Sequence, residues 1–260
     1  MNKLLSGKWF KCVATLVLAA LMSVLASCSN SQSAADERNR VLVAGATGGT
    51  GRALVRNLLD QGFAVTAFVR DENKARVVLG DDVSYVVGDV RQIDTIRPAM
   101  QNINFVISAI GSSRSDPTNN PEAVDFGGVK NLADAASEAS VNQFVLVSSS
   151  GVTQEDHFLN KNFDNILKWK FKGEEALRTS GVPYTVVRPG GLVNTPGGEF
   201  SVVFAQGDAT AGRISREDVA LICIAALTYP ESVGKTFETF NSEAAGENDW
   251  LLLFSDLAAD

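Results

Sequence analysis

The apolar residues of this chain fall into short, β-branched runs separated by stretches with helical spacing. Val41-Leu-Val-Ala44, Ala64-Val-Thr-Ala-Phe-Val69, Val83-Ser-Tyr-Val-Val87, Asn104-Phe-Val-Ile-Ser108, Gln143-Phe-Val-Leu-Val-Ser148, Pro183-Tyr-Thr-Val-Val-Arg188 and Lys235-Thr-Phe-Glu-Thr-Phe240 each predict a strand. Between most of them lie helical patterns such as Arg52-Ala-Leu-Val-Arg-Asn-Leu-Leu59. Strands that alternate with helices require crossover connections, and therefore a parallel sheet covered on both faces. The expectation is an α/β fold, a Rossmann-type doubly wound parallel sheet, in a single domain over residues 40–260. The C-terminal run Trp250-Leu-Leu-Leu-Phe254 reads as a helix docked on that core or as a partner surface, with core packing preferred.

In such a sheet, ligands bind beyond the carboxyl ends of the strands. The first strand runs into Gly45-Ala-Thr-Gly48-Gly-Thr-Gly51 and then a helix, the arrangement that holds a dinucleotide pyrophosphate on backbone amides and a helix N-terminus. The predicted cofactor residues are Gly45, Thr47, Gly48, Gly49, Thr50 and Gly51 from this turn. Arg70, Asp89, Val90, Ala109, Gly111 and Pro189 follow from the ends of later strands. At the second strand an acid favours NAD by bonding the ribose 2′-hydroxyl, whereas the Arg70 guanidinium suits a 2′-phosphate. NADP is therefore preferred, with NAD possible. Asp89 reads either as a contact to the adenine edge or as a solvated loop acid. The loop from Gly111 to Pro121 is long and polar enough to be a mobile lid.

These segments together resemble the NAD(P)-binding, NmrA-like branch of the atypical short-chain dehydrogenase/reductase superfamily, over about residues 40 to 240. The resemblance rests on the glycine turn, Val69-Arg70, Phe144-Val-Leu-Val-Ser-Ser149, Glu174 to Gly190 with its Val-Pro-Tyr-Thr-Val-Val-Arg-Pro-Gly ending, and Ile214-Ser-Arg-Glu-Asp-Val-Ala220. It implies NAD(P) as cofactor, and a family in which reductases stand beside members that only bind nucleotide or assist assembly. Catalytic members of the superfamily use a tyrosine, a lysine four residues later and a serine after the fifth strand. Here the lysine position falls on Lys170 and the tyrosine position on Ile166, so the acid is missing. Ser149, Lys170 and His157 are the catalytic candidates. Lys170 reads equally as a ribose contact or a solvated helix face, and His157 as a substitute proton source or an exposed loop residue. Ser215 and Asp218 have the spacing of a helix-capping box, and Arg216 between them faces either solvent or an anionic ligand.

Composition changes the picture at the N-terminus. Lys3, Lys8 and Lys11 precede the apolar run Val13 to Ala26, and Leu25-Ala-Ser-Cys28 resembles a bacterial lipobox. The expectation is a signal peptide over residues 1–27, a lipidated Cys28, a tether over residues 28–39 and an exported, membrane-anchored lipoprotein, with a cytoplasmic protein as the alternative. Removing residues 1–27 takes the net charge from −7 to −10, which disfavours nucleic acid as a partner. Cys12 would leave with the signal and Cys28 would carry the lipid, which leaves Cys223 alone in an apolar helical stretch, with no disulfide and no metal site expected. Two functions stand: an atypical NADP-dependent oxidoreductase on a small carbonyl or enone, and a non-catalytic nucleotide-binding sensor or assembly factor at a membrane. A protein partner belongs to the second.

Overall fold

The computed structural model describes residues 39–113, 116–209 and 211–260, and the expected signal peptide, Cys28 and all but the last residue of the expected tether lie outside them. Strand β1 (Arg40–Ala44) is parallel to β2 (Ala64–Val69) on one side and to β4 (Phe105–Ser108) on the other. The sheet continues through β3 (Ser84–Val87), β5 (Gln143–Val147), β6 (Tyr184–Pro189) and β10 (Lys235–Asn241), and ends in antiparallel β8 (Val202–Ala205). Its order is β3-β2-β1-β4-β5-β6-β10-β8, the order reversing between β1 and β4. Strands β7 (Gly191–Val193) and β9 (Arg213–Ser215) form a separate two-stranded ribbon.

The pleat explains why β1 reads as a continuous apolar run. Val41 and Val43 join the core on one face, with Leu54 and Leu58 of α1 (Gly49–Asp60) and Ile222 of α7 (Arg216–Thr228). Leu42 and Ala44 join the core on the other, with Leu132 of α4 (Val129–Glu138) and Leu177 of α6 (Ile166–Thr179). A strand buried on both sides has no polar face to show. Between them come α2 (Glu72–Leu79), the short α3 (Ile93–Ile96) and α5 (Phe158–Asn162), and the chain closes with α8 (Trp250–Ser255). Phe254 of α8 is fully buried against Phe204 and Phe237, which is the core docking that the terminal apolar run predicts.

Two local features bear on the site. Residues Glu122–Gly128 form a π-helical turn that leads into α4, an irregularity that redirects side chains relative to a regular helix. Asp164 and Asn165, with φ of 51° and 57°, put two successive left-handed non-glycine residues just before α6, a strained entry of the kind that clusters at ligand sites.

Candidate cofactor site

Gly45 has φ of 82°, and a Cβ there would lie 2.5 Å from the Ala109 carbonyl oxygen of the neighbouring strand exit. At Gly51 a Cβ would run into the Gly45 carbonyl oxygen and lie 2.8 Å from Ala46. Neither obstacle is a movable side chain, so both positions require glycine. The turn they permit starts α1 with Gly48 as N-cap, without a capping side chain and without an acid in the first turn. Its open amides and positive dipole end suit a phosphate.

Beside this turn lies a cavity of about 220 Å³. Gly45, Thr47 and Gly48 form its floor, Arg70 follows β2, Asp89 and Val90 follow β3, and Ala109 and Gly111 follow β4. Eight of the predicted cofactor residues are thus gathered at four adjacent strand ends. Gly49, Thr50 and Gly51 continue behind the wall in the first turn of α1. Pro189 is elsewhere, as the last residue of β6 beside Thr239 of β10. Phe68, Asn119 and Val124 also line the cavity and carry no motif that marks them.

The Asp89 carboxylate is occupied: Arg91 donates to it from Nε at 2.9 and 3.0 Å, and the side-chain bonds to Arg91 hold it below the usual aspartate range. Arg91 Nη1 in turn donates to the Thr118 carbonyl and hydroxyl at 2.9 and 2.8 Å, strapping the Asp116–Pro121 part of the lid over the cavity. Arg70 is exposed on the wall.

A second cavity, of about 500 Å³, adjoins the first through Asn119. Ser112, Pro117 and Pro121 line it from the lid side, and Phe163, Asp164 and Ile166 from the start of α6. Ile166, where the resemblance leads one to expect a tyrosine, is part of this wall. One turn further on, Lys170 Nζ lies 2.7 Å from Oδ1 of Asp125 in the π-helical turn. Asp125 is buried and its Oδ2 also accepts the Ser112 amide at 3.1 Å. The close approach of this turn to α6 depends on Gly173, where a Cβ would strike the Asp125 carbonyl oxygen. Sequence reasoning missed Asp125, because nothing in its neighbourhood signals a π-turn.

The remaining catalytic candidates line neither of these cavities. Ser149 Oγ donates to the Ser150 carbonyl at 2.9 Å. His157 caps α5, its Nδ1 accepting the Leu159 amide at 3.2 Å, while its ring packs against Phe158. The neighbouring Ser148 donates to Glu174 Oε1 at 2.5 Å. Glu174 is fully buried and also takes Arg188 Nε and Nη2 at 3.0 and 2.6 Å. Arg188 reaches Glu238, whose other oxygen accepts the Asp208 amide, and the Asp208 carboxylate holds the amides of Gly151 and Thr153. Burial pushes the Arg188 guanidinium down, but its bonds to Glu174 and Glu238 outweigh that and keep it above its ordinary value. The chain leaving β5 is fixed by this buried charge network.

A doubly wound sheet with a glycine turn at its first strand and a cavity at the switch between β1 and β4 defines a Rossmann-type nucleotide-binding domain. The match to known sequences is as specific. The chain belongs to the NAD(P)H-binding family, whose model matches residues 45–230. It is 34% identical over 262 residues to sanguinarine reductase from Eschscholzia californica, covering 84% of this chain and 95% of that one. It is 39% identical over 176 residues to the chloroplastic protein TIC 62 of Pisum sativum, covering 59% of this chain and 33% of that longer protein. Among solved structures, a putative NAD-dependent epimerase/dehydratase from Bacillus halodurans superposes with a TM-score of 0.72 at 28% identity, covering 84% of this chain and 99% of that one.

These relatives correct the expectation of an exported lipoprotein anchored through Cys28. TIC 62 is chloroplastic by name in pea, Arabidopsis and rice, and so is a second kind of Arabidopsis relative. Among the described residues no helix is long and apolar enough to cross a membrane. The lipobox pattern is four residues long and carries little information beside a family match of this length.

Proposed function

We propose that the protein is an atypical NADP-dependent oxidoreductase that passes hydride to a small carbonyl or enone. The observation that carries this reading is the cavity at the ends of β1 to β4, with the glycine turn as its floor and Arg70 on its wall. In this reading the open amides of α1 take the pyrophosphate, Arg70 takes the 2′-phosphate as a forked donor, and Val90, Ala109 and Gly111 flank the adenosine. NADPH supplies the hydride when bound. Lys170, steadied by Asp125, holds the ribose next to the second cavity, where the acceptor binds beside Ile166. Similarity to a relative that is a reductase by name over nearly its whole length supports turnover.

Ile166 shapes the choice of acceptor. An alkoxide formed from a plain carbonyl needs a proton as hydride arrives, and an isoleucine has none to give. An enone gives a delocalised enolate that water can protonate later, so conjugated acceptors are favoured. Ser149 and His157 stay as candidate proton sources: the His157 Nδ1 bond leaves Nε2 as the protonated nitrogen of the neutral ring.

Titrating the full chain with NADPH and NADH, then following NADPH oxidation at 340 nm (the nicotinamide band) against enones and carbonyls, tests the reading. Preferential NADPH binding with faster turnover of enones is expected. Tight binding without oxidation of any acceptor overturns the reductase reading in favour of a non-catalytic nucleotide-binding assembly factor, which Ile166 also favours. Failure to bind either cofactor overturns both.

A further inference from the structure

Arg216, the first residue of α7, lies across the glycine turn. A Cβ on Gly49 would be 2.7 Å from its Cδ and 2.8 Å from its Nε, so the arginine stem occupies the space that the missing side chain leaves. The backbone beneath it is firmly held. Ser215 caps α7 by accepting the Asp218 amide at 2.8 Å, and Asn241 of β10 takes the Ser215 amide at 2.9 Å. Glu217 pairs with Arg56 and accepts from Asn57 at 2.5 Å, stapling the start of α7 to the second half of α1. The Arg216 side chain projects from this fixed backbone over Gly49.

Its electrostatic setting is unbalanced. A guanidinium beside the amino end of α1 meets a partial charge of its own sign, and neither a capping side chain nor a first-turn acid offsets it. Arg216 forms no ion pair with any described residue, and its hydrogen bond is to a neutral group, Asn194 Oδ1, at 2.7 Å. Two positive features converge on one turn, and the adjoining cavity opens onto the same Gly48. An anion at that turn satisfies both.

We propose that Arg216 is a further cofactor-binding residue that exchanges its bond to Asn194 for the pyrophosphate of the bound dinucleotide, so that the first residue of α7 adds to a cavity lined by residues 45–124. This rests on the dinucleotide reading above. The fork of the guanidinium suits two phosphate oxygens, which an ammonium on a flexible stem reproduces only in part.

The test is calorimetric titration of the full-length protein and its R216Q and R216K variants with NADPH and with adenosine 2′-monophosphate, which has base, ribose and 2′-phosphate but no 5′-phosphate. R216Q is expected to weaken NADPH by about 10- to 100-fold and to leave adenosine 2′-monophosphate within about twofold, with R216K between, the scale set by one charge-assisted contact. Should R216Q not fold, as judged by circular dichroism, R216K carries the same comparison. Equal losses for both ligands, or no loss for either, overturn the assignment while leaving the dinucleotide reading intact. If the unaltered protein binds no NADPH, that reading falls and takes this one with it.

Discussion

Replacing Glu174 by alanine tests whether the buried charges are a structural keystone of the β5 exit. The carboxylate accepts four hydrogen bonds, one from Ser148, two from Arg188 and one from Arg178. Arg188 has 8% of its side chain exposed and keeps only Glu238 as a carboxylate partner once Glu174 is gone. Breaking a buried pair by removing one member costs about 3–5 kcal/mol, because the other charge stays buried. For a domain of this size, 1 kcal/mol moves the midpoint by roughly 2–4 °C, so E174A is expected to melt about 6–20 °C lower. Thermal and urea denaturation followed by circular dichroism measure it. Adding R188M should restore part of the loss, since the stranded guanidinium is then removed too. A midpoint within about 2 °C of the unaltered protein refutes the argument and means that water reaches Arg188 freely.

Arg70→Ala should weaken NADPH by about tenfold or more and leave NADH nearly unchanged, read by fluorescence titration. Gly51→Ala drives a Cβ into the Gly45 carbonyl and should abolish dinucleotide binding or destabilise the turn by more than about 1 kcal/mol, whereas alanine at Gly62, with open space around it, should keep binding intact although its φ of 80° costs some stability. Cys223 is fully buried and burial pushes its thiol well above the ordinary value, so iodoacetamide should leave it unmodified until the protein is unfolded in guanidinium. Because Arg91 depresses the Asp89 pKa, the strap on the lid is complete above an unfolded carboxylate value of about 3.9 and is lost as pH falls through the lower folded value. The carbonyl carbon resonance of Thr118, which accepts from Arg91, should move in acid at that point and not between pH 5 and 8.

Most of the sheet was legible because parallel strands buried on both faces leave continuous apolar runs, as β1, β2 and β5 do. Strands β7, β8 and β9 were not, since β7 and β9 have three residues each and β8 is an edge strand with exposed Val203. The turn, Arg70, Val90, Ala109 and Gly111 followed from one rule about strand ends. That rule weakens away from the sheet. Asn119, Val124 and Asp125 reach their positions through a lid and a π-turn, whose geometry depends on Gly173 about 50 residues later, and a single sequence carries no pattern for that coupling. Glu174 and Arg188 were noticed as family signature residues, but their pairing is a tertiary fact.

The order in which the chain emerges during synthesis gives the first cavity another significance. Every residue lining it lies between Gly45 and Val124, so its walls can assemble while β6, β10 and α7 are still inside the ribosome. At that stage β4 is an open edge, with β5 not yet beside it. A nucleotide that binds then acts as a ligand of the nascent half-sheet, stabilising it by mass action during the interval when its edge is most exposed to aggregation.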